Sequence, residues 1–117
     1  ASIYGATPTV IANIPIAENE TYSITANVSG IKHNVMAGTR CLYEIKQRFI
    51  RVVDGDAYAD AASVKLIDEN DADLDVVLQA DTGADTAQIK VTGKADTQMV
   101  WTASVEVQRI SDKLYER

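Results

Sequence analysis

A strict alternation of apolar and polar side chains is the feature that most limits how this sequence can fold. From Tyr22 to Val28 the even-numbered residues are apolar, whereas the odd-numbered ones are Ser, Thr or Asn. The pattern is equally clear in residues 99–108, around Trp101. Successive side chains of a strand point to opposite faces, so a period of two predicts strands with one face in a core. No stretch carries a 3.6-residue period over three helical turns.

The other strands follow from shorter alternating runs bounded by Gly, Asp and Asn. The predicted strands are residues 9–16, 22–30, 39–53, 63–67, 74–79, 87–92 and 99–108. Pro15 cannot donate to a ladder, which predicts an edge position for the first strand. Residues 57–62 are predicted to be a loop. The pattern predicts an all-β fold, an antiparallel β-sandwich (jelly-roll or Ig-like Greek key) of about 7–8 strands.

A chain of 117 residues fits one domain, here residues 1–117, with a core over about 8–110 and terminal arms at 1–7 and 111–117. In residues 39–53 the apolar positions shift phase after Gln47, to Ile50 and Val52. The shift is open to three interpretations: a β-bulge, a bend, or a strand covered on both faces. The predicted core comprises Tyr22, Ile24, Val28, Leu74, Val76, Ile89, Val91, Met99, Trp101, Ala103 and Val105.

The composition excludes several classes of function but does not identify one. The net charge is −6, from 17 acidic and 11 basic residues, and an acidic surface repels the phosphates of nucleic acid. No apolar run approaches the roughly 20 residues that span a bilayer. Because the chain has one cysteine and one histidine, an internal disulfide and multi-cysteine or His-rich metal sites are excluded. We therefore expect no enzyme, no cofactor, no metal, and neither nucleic acid nor membrane as a partner.

Two acidic groups are candidates for cation-binding or catalytic sites. Residues 68–75 hold closely spaced carboxylates, but EF-hand spacing from Asp68 places Ala72 and Gln79 where ligands are required. A solvated acidic turn is the favoured interpretation. Asp54, Asp56 and Asp60 surround an Asp-Gly turn pair, and nothing in their spacing fixes the carboxylate separation that glycoside hydrolysis needs.

Four further features each favour a structural role over a chemical one. His33 is predicted to be a solvent-facing loop residue, and Cys41 a buried, inert thiol. Trp101 is predicted to centre the core rather than to stack on a ligand. The basic residues of the long strand are Arg40, Lys46, Arg48 and Arg51. They favour a solvated face or intramolecular pairs over a partner's carboxylates. The sequence therefore assigns no catalytic, cofactor-binding or metal residues.

Several motifs follow one another near the C-terminal end: the acidic turn 68–73, LDVVLQADTG (74–83), and QIKVTGKADTQMVWTASVEVQRI (88–110) with a V-T-G strand end and a W-x-A-x-V closing strand. Their order resembles that of a β-sandwich domain common in tailed-bacteriophage virion proteins. Upstream, residues 9–31 resemble the opening hairpin of such domains, and residues 43–57 resemble their long middle strand. The resemblance implies a non-enzymatic building block of capsid decorations, head appendages or tail fibres, often oligomeric.

The expected function is therefore that of a virion structural protein, assembled in the host bacterial cytoplasm, which contacts major capsid or tail proteins and forms a homotrimer or homodimer. An alternative is a receptor- or carbohydrate-binding tip domain of a tail fibre, which a cluster of loop aromatics would favour; here these are Tyr4, Tyr58 and Tyr115. A small hydrolase is a third hypothesis, and it would require convergent titratable groups in a pocket.

Apolar residues on faces that alternation assigns to solvent predict a face covered by another chain; they are Ile50, Val52, Val77 and Val100.

Overall fold

The computed structural model describes residues 1–35 and 38–111, with the backbone alone described at 61–63, 66 and 111. The described residues form strands and turns. The strands are β1 (Ser2–Tyr4), β2 (Thr9–Pro15), β3 (Glu20–Lys32), β4 (Arg40–Arg51), β5 (Tyr58–Glu69), β6 (Asp75–Asp81), β7 (Thr86–Thr92) and β8 (Gln98–Ser111).

These strands form two antiparallel sheets that pack face to face. The large sheet has five strands in the order β1-β8-β3-β4-β5, and the small sheet has three in the order β2-β7-β6. Strands β3, β4 and β5 follow one another as hairpins, and β8 returns by a long connection to lie beside β3, which is a Greek-key order. The predicted all-β antiparallel sandwich is confirmed, and β2 lies at a sheet edge as Pro15 predicts.

The core lies between the two sheets and is mostly aliphatic, with Trp101, Tyr43 and Phe49 as its largest members. Every predicted core residue except Ala103 and Val105 is buried. The prediction for Ala103 is wrong because its side chain is exposed, and Val105 is half-buried. Strand β8 has 14 residues whereas each small-sheet strand has 7, so the small sheet does not cover all of the β8 inner face.

The segment predicted to be a loop belongs instead to a strand. Strand β5 begins at Tyr58, and Ala59 pairs with Phe49 of β4. Residues 57–62 are mostly alanine and give no contrast between the two faces, so alternation could not reveal this strand. The acidic turn that the sequence predicts to start at Asp68 is also shorter than expected, because β5 continues to Glu69.

The phase shift predicted within the long strand is not a feature of β4. Gln47 is buried on the inner face between Ile45 and Phe49, and the β3–β4 register is continuous there. The irregularity lies in the neighbouring strand, where Lys46 pairs with Val64 but Arg48 pairs with Asp60. The Gln47 Nε2 donates to the Asp60 carbonyl at 2.8 Å, so this buried amide has a backbone partner beside the irregularity.

The first residues, expected to form an arm, are part of the large sheet. Strand β1 pairs with residues 98–100 of β8, and the Ala1 nitrogen donates to the Trp101 carbonyl at 2.7 Å. The Trp101 N–H donates in return to the Ala1 carbonyl, also at 2.7 Å. At the other end, Ser111 closes β8, and the remainder of the predicted C-terminal arm, 112–117, lies outside the described residues.

Candidate interaction surfaces

The acidic turn after β5 is held by ion pairs and hydrogen bonds. Asp71 Oδ1 accepts the Asp73 N–H at 3.0 Å, and Asp71 Oδ2 lies 2.5 Å from the Lys94 Nζ. The hydrogen bond from Lys94 lowers the pKa of the Asp71 carboxyl. Within 1–35 and 38–111, no three His, Cys, Asp or Glu side chains are grouped so that they could hold a metal ion. The carboxylates here fasten one turn to another.

Two residues of the second acidic group have different roles: Asp54 lies in a turn, and Asp60 forms an ion pair. Asp54 has a φ of 59°, and the Gly55 N–H closes the turn on the Val52 carbonyl at 3.0 Å. Asp60 Oδ2 accepts from Arg48 Nε at 2.7 Å and lies 2.5 Å from a terminal nitrogen of the same guanidinium. The structure therefore uses Asp54 for a turn and Asp60 for strand pairing.

The single histidine and the single cysteine lie in opposite environments. His33 is exposed, and its backbone N–H donates to the Gln98 carbonyl at 2.9 Å. Cys41 is buried, as predicted, and burial raises the pKa of its thiol to about 11. A thiol with this pKa remains protonated and unreactive at neutral pH.

The basic residues of β4 mostly bind groups of the same chain. Arg48 pairs with Asp60, and Arg51 lies 3.3 Å from Asp85 in the β6–β7 turn. Arg51 also donates to the carbonyls of Ile16 (3.1 Å) and Gly55 (3.0 Å). It thereby ties the end of the large sheet to the small sheet. Intramolecular pairing is thus confirmed for Arg48 and Arg51.

A cluster of titratable groups around Tyr43 was not found from the sequence. The Tyr43 hydroxyl donates to the Glu69 carboxylate and lies 3.1 Å from the Leu74 carbonyl. Lys65 Nζ lies 5.1 Å from the centroid of the Tyr43 ring and 3.1 Å from Asp75 Oδ1. Burial and then the bond to Glu69 raise the pKa of Tyr43. These contacts fasten β4 and β5 to β6, and no signal could reveal them before the strand pairing was known.

The large apolar side chains that remain exposed concentrate at strand edges and turns. Val64 and Ile67 lie on β5, the last strand of the large sheet, and are 59% and 54% exposed. Val107 and Ile110 lie on β8 and are 43% and 61% exposed. Exposed apolar side chains on an edge strand such as β5 are suited to contacts with another chain.

The four residues predicted to mark a covered face differ in their exposure to solvent. Ile50, Val77 and Val100 are half-buried by their own chain, and Val52 is 52% exposed. Ile50, for example, lies between Thr21 and Tyr58 in the strand register. A covering chain is therefore better sought at the edges than over a whole face.

The exposed tyrosines do not form a cluster. Tyr4 pairs with Gln98, whereas Tyr58 pairs with Ile50, which pairs with Thr21. Because Gln98 and Thr21 lie at opposite ends of the β3–β8 ladder, Tyr4 and Tyr58 are at opposite ends of the large sheet. Tyr115 lies outside the described residues.

No protein-family model and no curated protein matches this chain. Among the described residues, no helix is long and apolar enough to cross a membrane.

Proposed function

We propose that this protein is a non-enzymatic structural component of a tailed-phage virion, which attaches to the capsid or to a head or tail appendage through protein contacts. One observation carries the proposal: large apolar side chains are exposed on two strands of the large sheet, at Val64 and Ile67 of the edge strand β5 and at Val107 and Ile110 of β8. Apolar groups beside strand edges are suited to contacts with other chains.

The placement of the charged groups supports the same proposal. Arg48, Arg51, Lys65 and Lys94 each bind a carboxylate of the same chain. These four basic side chains therefore join strands and turns of the same domain, as expected of a rigid building block. The clustered aromatics that would favour a carbohydrate-binding tip do not occur at Tyr4 and Tyr58.

The virion context rests on the resemblance of residues 9–109 to phage sandwich domains. Two of its segments, 74–83 and 88–110, correspond to β6, β7 and the returning strand β8. Under this proposal the partners are major capsid or tail proteins, assembly takes place in the host bacterial cytoplasm, and the protein is a homo-oligomer, a dimer or a trimer.

The proposal is tested by incorporation of edge variants into particles. Phage carrying Val64→Lys together with Ile67→Lys, or Val107→Lys, should produce particles with several-fold less of the protein than wild type. Asn27→Lys is the matched control, since Asn27 is exposed on the central strand β3. Particle-bound protein is measured by quantitative immunoblotting against a capsid standard. Undiminished incorporation of all edge variants would contradict a role for the edges, and absence of the wild-type protein from particles would contradict the function.

A further inference from the structure

Apolar side chains are exposed together where the β4–β5 hairpin ends, at residues 50–58, which we call the tip. Val52, Val53 and Tyr58 are 52%, 60% and 43% exposed. The Gly55 N–H donates to the Val52 carbonyl at 3.0 Å, so the chain reverses here with Val53 at the corner of the turn. Tyr58 faces Ile50 in the last pair of the β4–β5 ladder. The tip therefore presents a small apolar surface at one end of the sandwich.

The two neighbouring turns hold the tip in a fixed conformation. The Asp54 N–H donates to the Glu18 carboxylate of the β2–β3 turn at 2.9 Å, and the Ala57 N–H donates to the Asp85 carboxylate of the β6–β7 turn at 2.9 Å. Arg51, at the base of the tip, lies 3.3 Å from Asp85. Because the tip is already ordered, a partner that binds it loses little affinity to ordering a loop.

The carboxylates around the tip have no cations to balance them. Glu18, Asp54 and Asp56 are exposed, and none of them forms an ion pair within the described ranges 1–35 and 38–111. Nearby, Asp60 and Asp85 are paired with arginines of the same chain. An apolar surface at the tip is thus surrounded by negative charge.

We propose that the tip inserts into an apolar recess of another virion protein, and that Lys and Arg side chains rim this recess. The inference rests on the proposed function and adds to it a contact surface and the chemistry of its partner. Val53 and Tyr58 supply the apolar centre of the contact, and the three carboxylates supply its polar rim. Opposite charges on the two rims steer the proteins together and fix their orientation.

The charge also decides against other occupants of this surface. A neutral or acidic partner would remove water from Glu18, Asp54 and Asp56 without replacing it by cations, which is costly for ionised groups. A second copy of this chain, bound tip to tip, would bring the same three carboxylates of each copy together. A basic partner satisfies all three.

Binding to phage particles that lack this protein provides the first test. Purified protein is titrated onto such particles, and the bound fraction is measured by co-sedimentation at several salt concentrations. The wild type should bind, more weakly as salt rises. Val53→Ser should bind about tenfold more weakly, because the apolar centre is lost. Circular dichroism should show that the variant keeps the wild-type fold.

Neutralising the rim should have a comparable effect and a distinct signature. Glu18→Gln, Asp54→Asn and Asp56→Asn are combined, since Gln can still accept the Asp54 N–H and Asn tolerates the φ of 59° at position 54. The triple variant should bind about tenfold more weakly and lose most of the salt dependence. Tip variants that bind as tightly as the wild type would overturn the proposal.

The matched control removes the same amount of charge elsewhere. Asp73→Asn, Asp96→Asn and Glu106→Gln change three exposed carboxylates that lie outside the tip and form no ion pair in the part of the chain that the structure describes. This variant should bind within about twofold of the wild type. An equal loss in both triple variants would show that net charge, not the tip, governs binding, and would overturn the proposal.

Thiol labelling provides the second test and locates the contact. Val53→Cys should react with a maleimide in the free protein and should be protected on particles. Val35→Cys is the control, because Val35 is also exposed and lies in the β3–β4 turn, at the opposite end of the large sheet; it should react in both states. Cys41 is buried and should not react. Equal labelling of Val53→Cys on and off particles would overturn the proposal, and so would its protection in a dimer of the free protein.

The two proposals fail in different ways. Tip variants that bind particles like the wild type remove the tip contact and leave the virion role. A wild-type protein that binds no particle removes the virion role and the tip contact with it.

Discussion

The indole ring of Trp101 lies directly over the Cα of Gly30, its partner across β3 and β8. A Cβ built on Gly30 would lie 2.6 Å from both Cε3 and Cζ3 of the ring. Trp101 is 1% exposed, so the ring has no free space into which it could withdraw. The glycine is therefore required by close packing at the centre of the large sheet, not by its own backbone conformation.

Gly30→Ala should destabilise the fold by about 1–3 kcal/mol, because the added methyl group overpacks a rigid part of the core. Urea unfolding followed by tryptophan fluorescence measures the loss. Gly83→Ala is the control, since a Cβ built there would lie 3.5 Å from Asp81 Oδ1, an ordinary van der Waals contact. Equal stabilities of the two variants would contradict the packing argument.

Trp101→Ala should cost about 3–5 kcal/mol, whereas Trp101→Phe should cost clearly less. The Trp101 Nε1 is buried without a hydrogen-bond partner in the described part of the chain. Removing an unsatisfied buried donor offsets part of the packing that the smaller ring loses. Thermal unfolding by calorimetry compares the two variants. A phenylalanine variant as unstable as the alanine variant would show that the indole nitrogen is satisfied in solution.

Tyr43→Phe should destabilise the protein by about 1–2 kcal/mol, because it leaves two acceptors, the Glu69 carboxylate and the Leu74 carbonyl, without their donor. Tyr58→Phe is a suitable control, since Tyr58 is 43% exposed. Chemical denaturation at pH 7 measures both. If the two substitutions cost the same, the Tyr43 hydroxyl does not join the sheets.

Stability should fall as the pH rises above about 9. Burial raises the pKa of Cys41 from 9.0 to about 11 and also raises that of Tyr43, so the unfolded chain loses these protons first. The stabilisation is complete below the unfolded pKa of each group and is lost as the pH rises through the folded value. Denaturation midpoints from pH 7 to 11 measure the slope. Cys41→Ala should flatten it between pH 9 and 11, and an unchanged slope would contradict the assignment to Cys41.

Alternation predicted the parts of the fold in which the two faces differ in chemistry. Strands β3 and β8 have polar outer faces and mostly apolar inner ones, so their existence and orientation could be read directly. The start of β5 could not be predicted, because its alanines give no contrast between the two faces. The prediction that Ala103 is buried was wrong because the sequence of β8 does not show how far the small sheet extends over it. The contacts of Tyr43 depend on a partner 26 residues away, which no local pattern reveals.

Counting the copies of this protein in purified particles tests whether it is a stoichiometric part of a virion, as we propose. Quantitative mass spectrometry with labelled peptides, normalised to the major capsid protein, gives that number. We expect a fixed ratio in every preparation: hundreds of copies for a capsid decoration, or a few for an appendage. Protein abundant in infected cells but absent from purified particles would contradict it.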